Sequence, residues 1–183
     1  MRYALLLAVV CMIGSLVMAG WGDEPTLKKL LPKDQQVKGW TVFPKSYVYA
    51  QGKNLTSIYD GGYKLYLDRG VLDAVQQIYR GQPEVITFTV HGMRSEPDAR
   101  KFYDYWRQVI GKQDTLRTVP LSRQAFTYSA DGAANGYLWN GRYLLIAACS
   151  TDRPAAREAL LGFLKWFSAA AESLQKPKPK RRR

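Results

Sequence analysis

Between Tyr137 and Ser150 the chain reads YLWNGRYLLIAACS, two apolar runs with Asn140 and Gly141 between them. Asn-Gly flanked by strand-forming residues marks a two-residue hairpin, because both residues accept the positive φ of a tight turn that matches strand twist. A hairpin needs a larger antiparallel sheet to be stable, and other β-branched and aromatic runs supply candidate strands. These are WTVF from Trp40, YVYA from Tyr47, LTSIY from Leu55, residues 75–79, residues 85–90 and AFTYS from Ala125. Gly81 and Pro83 are turn residues between 75–79 and 85–90. In the latter run Ile86, Phe88 and Val90 face one way, with Thr87 and Thr89 opposite.

Two segments have the helical period instead. In SEPDARKFYDYWRQVI, Ser95 and Asp98 stand at capping-box spacing, and Ala99, Phe102, Tyr103, Trp106, Val109 and Ile110 make one apolar face. In TDRPAAREALLGFLKWFSAAAESL, Thr151 or Asp152 is the candidate cap and Pro154 fits the first turn. Leu160, Leu161, Phe163, Leu164 and Phe167 form its buried stripe. The pattern predicts a single α+β domain, an antiparallel sheet with these two amphipathic helices packed on one face.

The first residues, MRYALLLAVVCMIGSLVMAG, combine one early cation, an apolar run and small residues at signal-peptidase spacing. They read as a signal peptide, 1–19, with an uncleaved membrane anchor as the alternative. An entry segment, 20–38, follows, with Leu27, Leu30 and Leu31 in one short helical turn stopped at Pro32. The α+β domain spans 39–175 and a basic tail 176–183. Export places the protein in the periplasm or outside the cell. Cleavage after Ala19 leaves 164 of the 183 residues and one cysteine, Cys149, so no internal disulfide is possible. In an apolar strand Cys149 reads as a buried, inert thiol.

The net charge of +12 is unevenly spread. With Arg2 and the six cations of KPKPKRRR set aside, residues 20–175 carry 20 cations against 15 anions, a net +5. The tail cations Lys176, Lys178, Lys180, Arg181, Arg182 and Arg183, interleaved with prolines, read as a solvated disordered segment. Behind an export signal their candidate partners are anionic membrane or cell-wall surfaces, and no nucleic acid is expected.

The stretch SIYDGGYKLYLDRGVLDA reads as a capped helix. Asp60 stands at its start, Tyr59, Tyr63, Tyr66 and Leu67 recur at spacings of three and four, and Gly70 sits at a left-handed C-terminal cap. A strand pair turning at Gly61 and Gly62 is the alternative reading. DGGYKLYLDRG and DGAANGYLWNG share residues at matching offsets, and PDAR and PAAR recur, but unequal separations of 71 and 57 residues favour coincidence over duplication. With Gly39 and Trp40, the DGGYKLYLDRG segment, a strand ending in VHGM and then SEPDARKFYDYW, the chain resembles a family of exported bacterial proteins with a domain of unknown function. The resemblance covers Leu30 to about Phe167, implies an envelope location and brings no catalytic residues. The basic tail is not part of it.

Chemistry-bearing residues are sparse. His91 is the one histidine, too few for a zinc site unaided, and a strand-end imidazole in a satisfied hydrogen bond is the plain reading. Asp60 and Asp68 lack the acidic ladder of a calcium loop. No metal and no cofactor is expected. The tyrosines point to a cleft with an apolar body and hydroxyls for orientation, near Asp60, Tyr63, Tyr66 and His91. The expected function is that of a non-enzymatic envelope protein binding a small ligand or a protein partner. The alternative is a secreted hydrolase using His91 or Asp60.

Overall fold

The computed structural model describes residues 22–111, 116–121 and 124–176. The expected signal peptide, 1–19, with Cys11, and the tail residues Lys178, Lys180, Arg181, Arg182 and Arg183 lie outside them. In chain order the elements are α1 (Glu24–Lys28), β1 (Thr41–Val42), β2 (Val48–Gln51), a 3-10 segment (Gly52–Ser57), α2 (Tyr63–Asp68), β3 (Val71–Gly81), β4 (Glu84–Met93), α3 (Glu96–Ile110), β5 (Arg117–Pro120), β6 (Gln124–Ala130), β7 (Ala133–Asn140), β8 (Tyr143–Cys149) and α4 (Pro154–Gln175). The strands form one antiparallel sheet in the order β1-β3-β4-β8-β7-β6-β5, with β2 also pairing β3. The protein is thus a single α+β domain. Among the described residues no helix is long and apolar enough to cross a membrane.

Period-two alternation splits the core into two layers. Ile86, Phe88 and Val90 of β4 and Leu145, Ala147 and Cys149 of β8 pack with Leu160, Phe163, Leu164 and Phe167 of α4. Their neighbours Met93 of β4 and Leu144 of β8, with Tyr137 and Trp139 of β7, pack with Ala99, Phe102 and Tyr103 of α3. The two long helices therefore cover opposite faces of the sheet, not one as expected. An amphipathic stripe says that a helix buries one side, and it carries no information on which face of a sheet receives it. The geometry also opposes a duplication, because a two-fold axis relating the antiparallel neighbours β4 and β8 would put both helices on the same face.

Local departures have local causes. The β7–β8 hairpin turns at Gly141 and Arg142, one residue later than expected, with Asn140 paired to Tyr143. Gly141, at φ +56°, occupies the first central position, where a type II′ turn requires glycine. This register buries Asn140, whose Nδ2 donates to the Ser168 carbonyl at 3.2 Å and whose Oδ1 accepts from Gln175 Nε2 at 3.0 Å. LTSIY is not a strand: it falls largely in the 3-10 segment, with Leu55 fully buried and Thr56 and Ser57 both exposed, so the alternation fails. β5 is an additional edge strand. β6 and β7 are joined by Asp131 and Gly132, both at positive φ.

The DGG segment is a helix, but it starts at Tyr63 with Gly62 as N-cap, and Asp60 caps nothing. Gly61, at φ +72°, turns the chain between Asp60 and the helix. Gly70, at φ +87°, is left-handed as expected. Ser95 accepts the Asp98 N–H at the start of α3, while Val109 is 48% exposed because it lies off the stripe that ends at Ile110. α4 has Arg153 as N-cap with no side-chain cap, since both expected caps are engaged elsewhere. The Thr151 hydroxyl donates to Glu84 Oε2 and Asp152 accepts two bonds from Arg157. In the entry segment Leu27, Leu30 and Leu31 join the α4-side core, and the Tyr79 hydroxyl donates to the Pro32 carbonyl at 2.8 Å.

Candidate functional site

β4 sends Ile86, Phe88 and Val90 toward α4, so the odd-numbered His91 falls on the α3 side. It is fully buried there. Nδ1 lies 2.9 Å from the Leu144 carbonyl, which only accepts, so Nδ1 carries the proton and donates. Nε2 is then the acceptor for the Tyr59 hydroxyl. Tyr59 and Tyr66 stack at 3.7 Å between centroids, and the imidazole lies parallel to both rings at 5.8 and 5.5 Å. Phe102 of α3 meets Tyr66 edge-on at 5.3 Å.

Burial sets the proton states of this stack. It pushes the imidazole down to about 4, against the pull of the Leu144 carbonyl, so His91 is neutral. It holds the Tyr59 hydroxyl well above its ordinary value and Tyr66 at about 12. A buried base whose lone pair already accepts a hydroxyl proton has no free site for a substrate. Of the expected cleft residues the structure brings Tyr66 and His91 together and leaves Tyr63 half-buried at the margin of the same core, with Asp60 exposed on the turn. Tyr59 completes the stack. Its place in a strand-like run concealed it, although its spacing from Tyr66 is helical.

The α4 side holds a different kind of site. A groove of about 660 Å3 opens between α1 with the turn after it, the β1–β2 margin of the sheet and Trp166 of α4. Leu31, Pro32, Val42, Tyr47 and Trp166 give it apolar walls, and Lys28, Lys29 and Lys33 stand on it as exposed cations. The Lys28 ammonium sits 4.8 Å from the Tyr47 ring centroid. The Tyr47 hydroxyl donates to Glu24 at 2.8 Å, and Asp34 accepts the Val42 N–H at 2.6 Å. Sequence reasoning passed over this groove because its residues come from four separated segments, with only the Lys28–Lys29 pair as a local signal.

On the same face of the sheet Asp73 is, like His91, fully buried. The bulge between Val71 and Asp73 turns this carboxylate inward beside Gly92, whose missing side chain leaves it room. Its Oδ2 accepts the Asp23 N–H at 2.6 Å and the Tyr49 hydroxyl at 3.4 Å, while Oδ1 has no hydrogen-bond partner. Burial raises it to about 6, moderated by the Asp23 N–H and the Arg142 charge. Asp73 therefore ties the entry segment to the sheet. Cys149 is buried and burial pushes its thiol up, which disfavours the reactive thiolate. Among the described residues no group of three or more His, Cys, Asp or Glu is placed to hold a metal ion.

No protein-family model matches the chain, and no curated protein matches it. Among solved structures it is similar to the extracellular domain of PknH from Mycobacterium tuberculosis, with 11% identity, 82% of this chain and 99% of that one covered, and a TM-score of 0.51. It is also similar to a GTP-binding regulator from Thermotoga maritima, with 10% identity, coverage of 79% and 85%, and a TM-score of 0.45, too loose to carry an argument. At 11% identity the likeness to the PknH domain is one of fold.

Proposed function

We propose that the protein is an exported envelope domain that acts by binding a small ligand or a partner, with the groove of Lys28, Tyr47 and Trp166 as its seat. The observation that carries this reading is the contrast between that groove, open and about 660 Å3, and the sealed histidine. The expected tyrosine cleft is replaced by the groove, since Tyr66 is spent on packing. The hydrolase alternative lacks support: both nitrogens of His91 are engaged and Asp60 is exposed on a turn. The PknH domain supports the reading only as a fold carried outside a cell.

Native mass spectrometry of the protein purified gently from its own envelope tests the proposal. A stoichiometric extra mass that is lost when Val42→Trp fills the groove is the expected result. A bare chain under all gentle conditions counts against it. The tail from Lys176 onward belongs to the same proposal as an anchor on polyanionic surfaces, and its deletion should abolish association with anionic vesicles while leaving the bound mass in place.

A further inference from the structure

We infer that the groove takes a single-chain amphiphilic anion, a fatty carboxylate, with its head among Lys28, Lys29 and Lys33 and its alkyl chain along Val42, Tyr47 and Trp166. The inference rests on the binding reading above and names the ligand class. Three cations face one carboxylate in the lining, Asp34, and that carboxylate already accepts the Val42 N–H. None of the three lysines takes part in an ion pair among the described residues. The lining residues therefore carry more positive than negative charge, three lysines against Asp34, with the Glu24 carboxylate beside them at the Tyr47 hydroxyl, and an anionic head would complement the excess.

The remaining polar groups narrow the ligand further. The Tyr47 hydroxyl is committed to Glu24, the Gln77 amide nitrogen donates to Ser46 Oγ, and the Gln36 amide oxygen accepts the Lys33 N–H. A sugar or nucleotide needs several directional partners, and each of these three already spends at least one polar atom within the protein. An alkyl chain asks only for apolar contact, which Leu31, Val42, Tyr47 and Trp166 supply. A lysine is a compact point charge on a flexible stem, suited to a carboxylate head held near the surface without fixed geometry. The volume, about 660 Å3, lies within the range of small-molecule sites, roughly 300–1,000 Å3.

Isothermal titration of the full mature chain with monomeric dodecanoate, and with dodecyltrimethylammonium as its cationic counterpart, tests this. Dodecanoate should bind one-to-one, tighten up to about fourfold per added methylene, and ignore its counterpart as competitor. The double variant Lys28→Glu, Lys33→Glu should lose at least about tenfold in affinity. Its substitutions are on exposed side chains, and an unchanged melting temperature verifies the fold. Equal binding of the cationic amphiphile, or unchanged affinity in the double variant, overturns the inference. An envelope-derived bound mass that is a polar solute or a protein also overturns it, while leaving the binding reading intact. Absence of both a bound mass and dodecanoate binding removes the two together.

Discussion

The two faces of the sheet share their strands and handle buried polar groups in opposite ways. On the α3 face, His91 sits beneath two stacked tyrosines with both ring nitrogens engaged. On the α4 face, Asp73 is equally buried, keeps one oxygen without a hydrogen-bond partner, and lies in the layer that opens into the groove. Burial disfavours charge in both, and because one is a base and the other an acid, the same physical cause moves their proton affinities in opposite directions. The sealed face is built for packing. The other face combines packing with an opening.

The largest effects test whether both faces are true cores. Phe163→Ala under α4 and Phe102→Ala under α3 should each cost about 3–5 kcal/mol in denaturant unfolding, since both side chains are fully buried. A small cost at Phe102 alone would break the picture of two equivalent layers.

The next test separates the two titrating groups. His91 stays neutral in the fold down to about pH 4, while an unfolded histidine takes up its proton near 6.5. The unfolded state then binds more protons, so stability falls as pH drops from about 6.5 to about 4, by about 3 kcal/mol. Asp73→Asn should expose this acid lability in thermal melts from pH 7 to 4. A flat profile in that variant would remove the buried neutral imidazole from the account.

Asp73 works with the reverse sign. Its folded form keeps the proton up to about pH 6, against 3.8 for the ordinary side chain, so the folded state binds more protons and stability falls as pH rises between those values. The expected size is slightly smaller than for His91, again about 3 kcal/mol. His91→Asn, which keeps a donor for the Leu144 carbonyl, should reveal it as a melting temperature that decreases from pH 4 to 6. In the unaltered protein the two slopes oppose each other over most of this window. Asp23, Asp98 and Asp152, held below the ordinary range by their hydrogen bonds, act at lower pH. The smallest effect is local to the α3 side: Ser95→Ala should cost about 1 kcal/mol through loss of the N-cap bond to Asp98.

Much of the frame was legible along the chain, and the reasons are particular. The β3–β4 hairpin was readable because Gly81 closes β3, Pro83 occupies the two-residue turn after it, and Ile86, Phe88 and Val90 alternate. The α3 cap was readable because Ser95 and Asp98 stand three apart. His91 could be assigned to the opposite side of β4 by parity alone. LTSIY misled because β-branched composition resembles a strand, whereas Leu55 buries its side chain from a 3-10 turn. The α4 cap misled because Asp152 and Thr151 have the right chemistry and more favourable partners in Arg157 and Glu84. Neither Asp73 nor the groove left a motif, since one depends on a bulge and the other on α1 and Trp166, over 130 residues apart, lining one opening.

The sequence by itself determined the periods, most turns and the apolar stripes, because these depend on residues within one or two turns of each other. Only the tertiary structure decided which face each helix covers, which tyrosine closes over His91, and where an apolar groove meets three lysines. Those outcomes depend on burial, and burial is set by distant neighbours that the fold brings together.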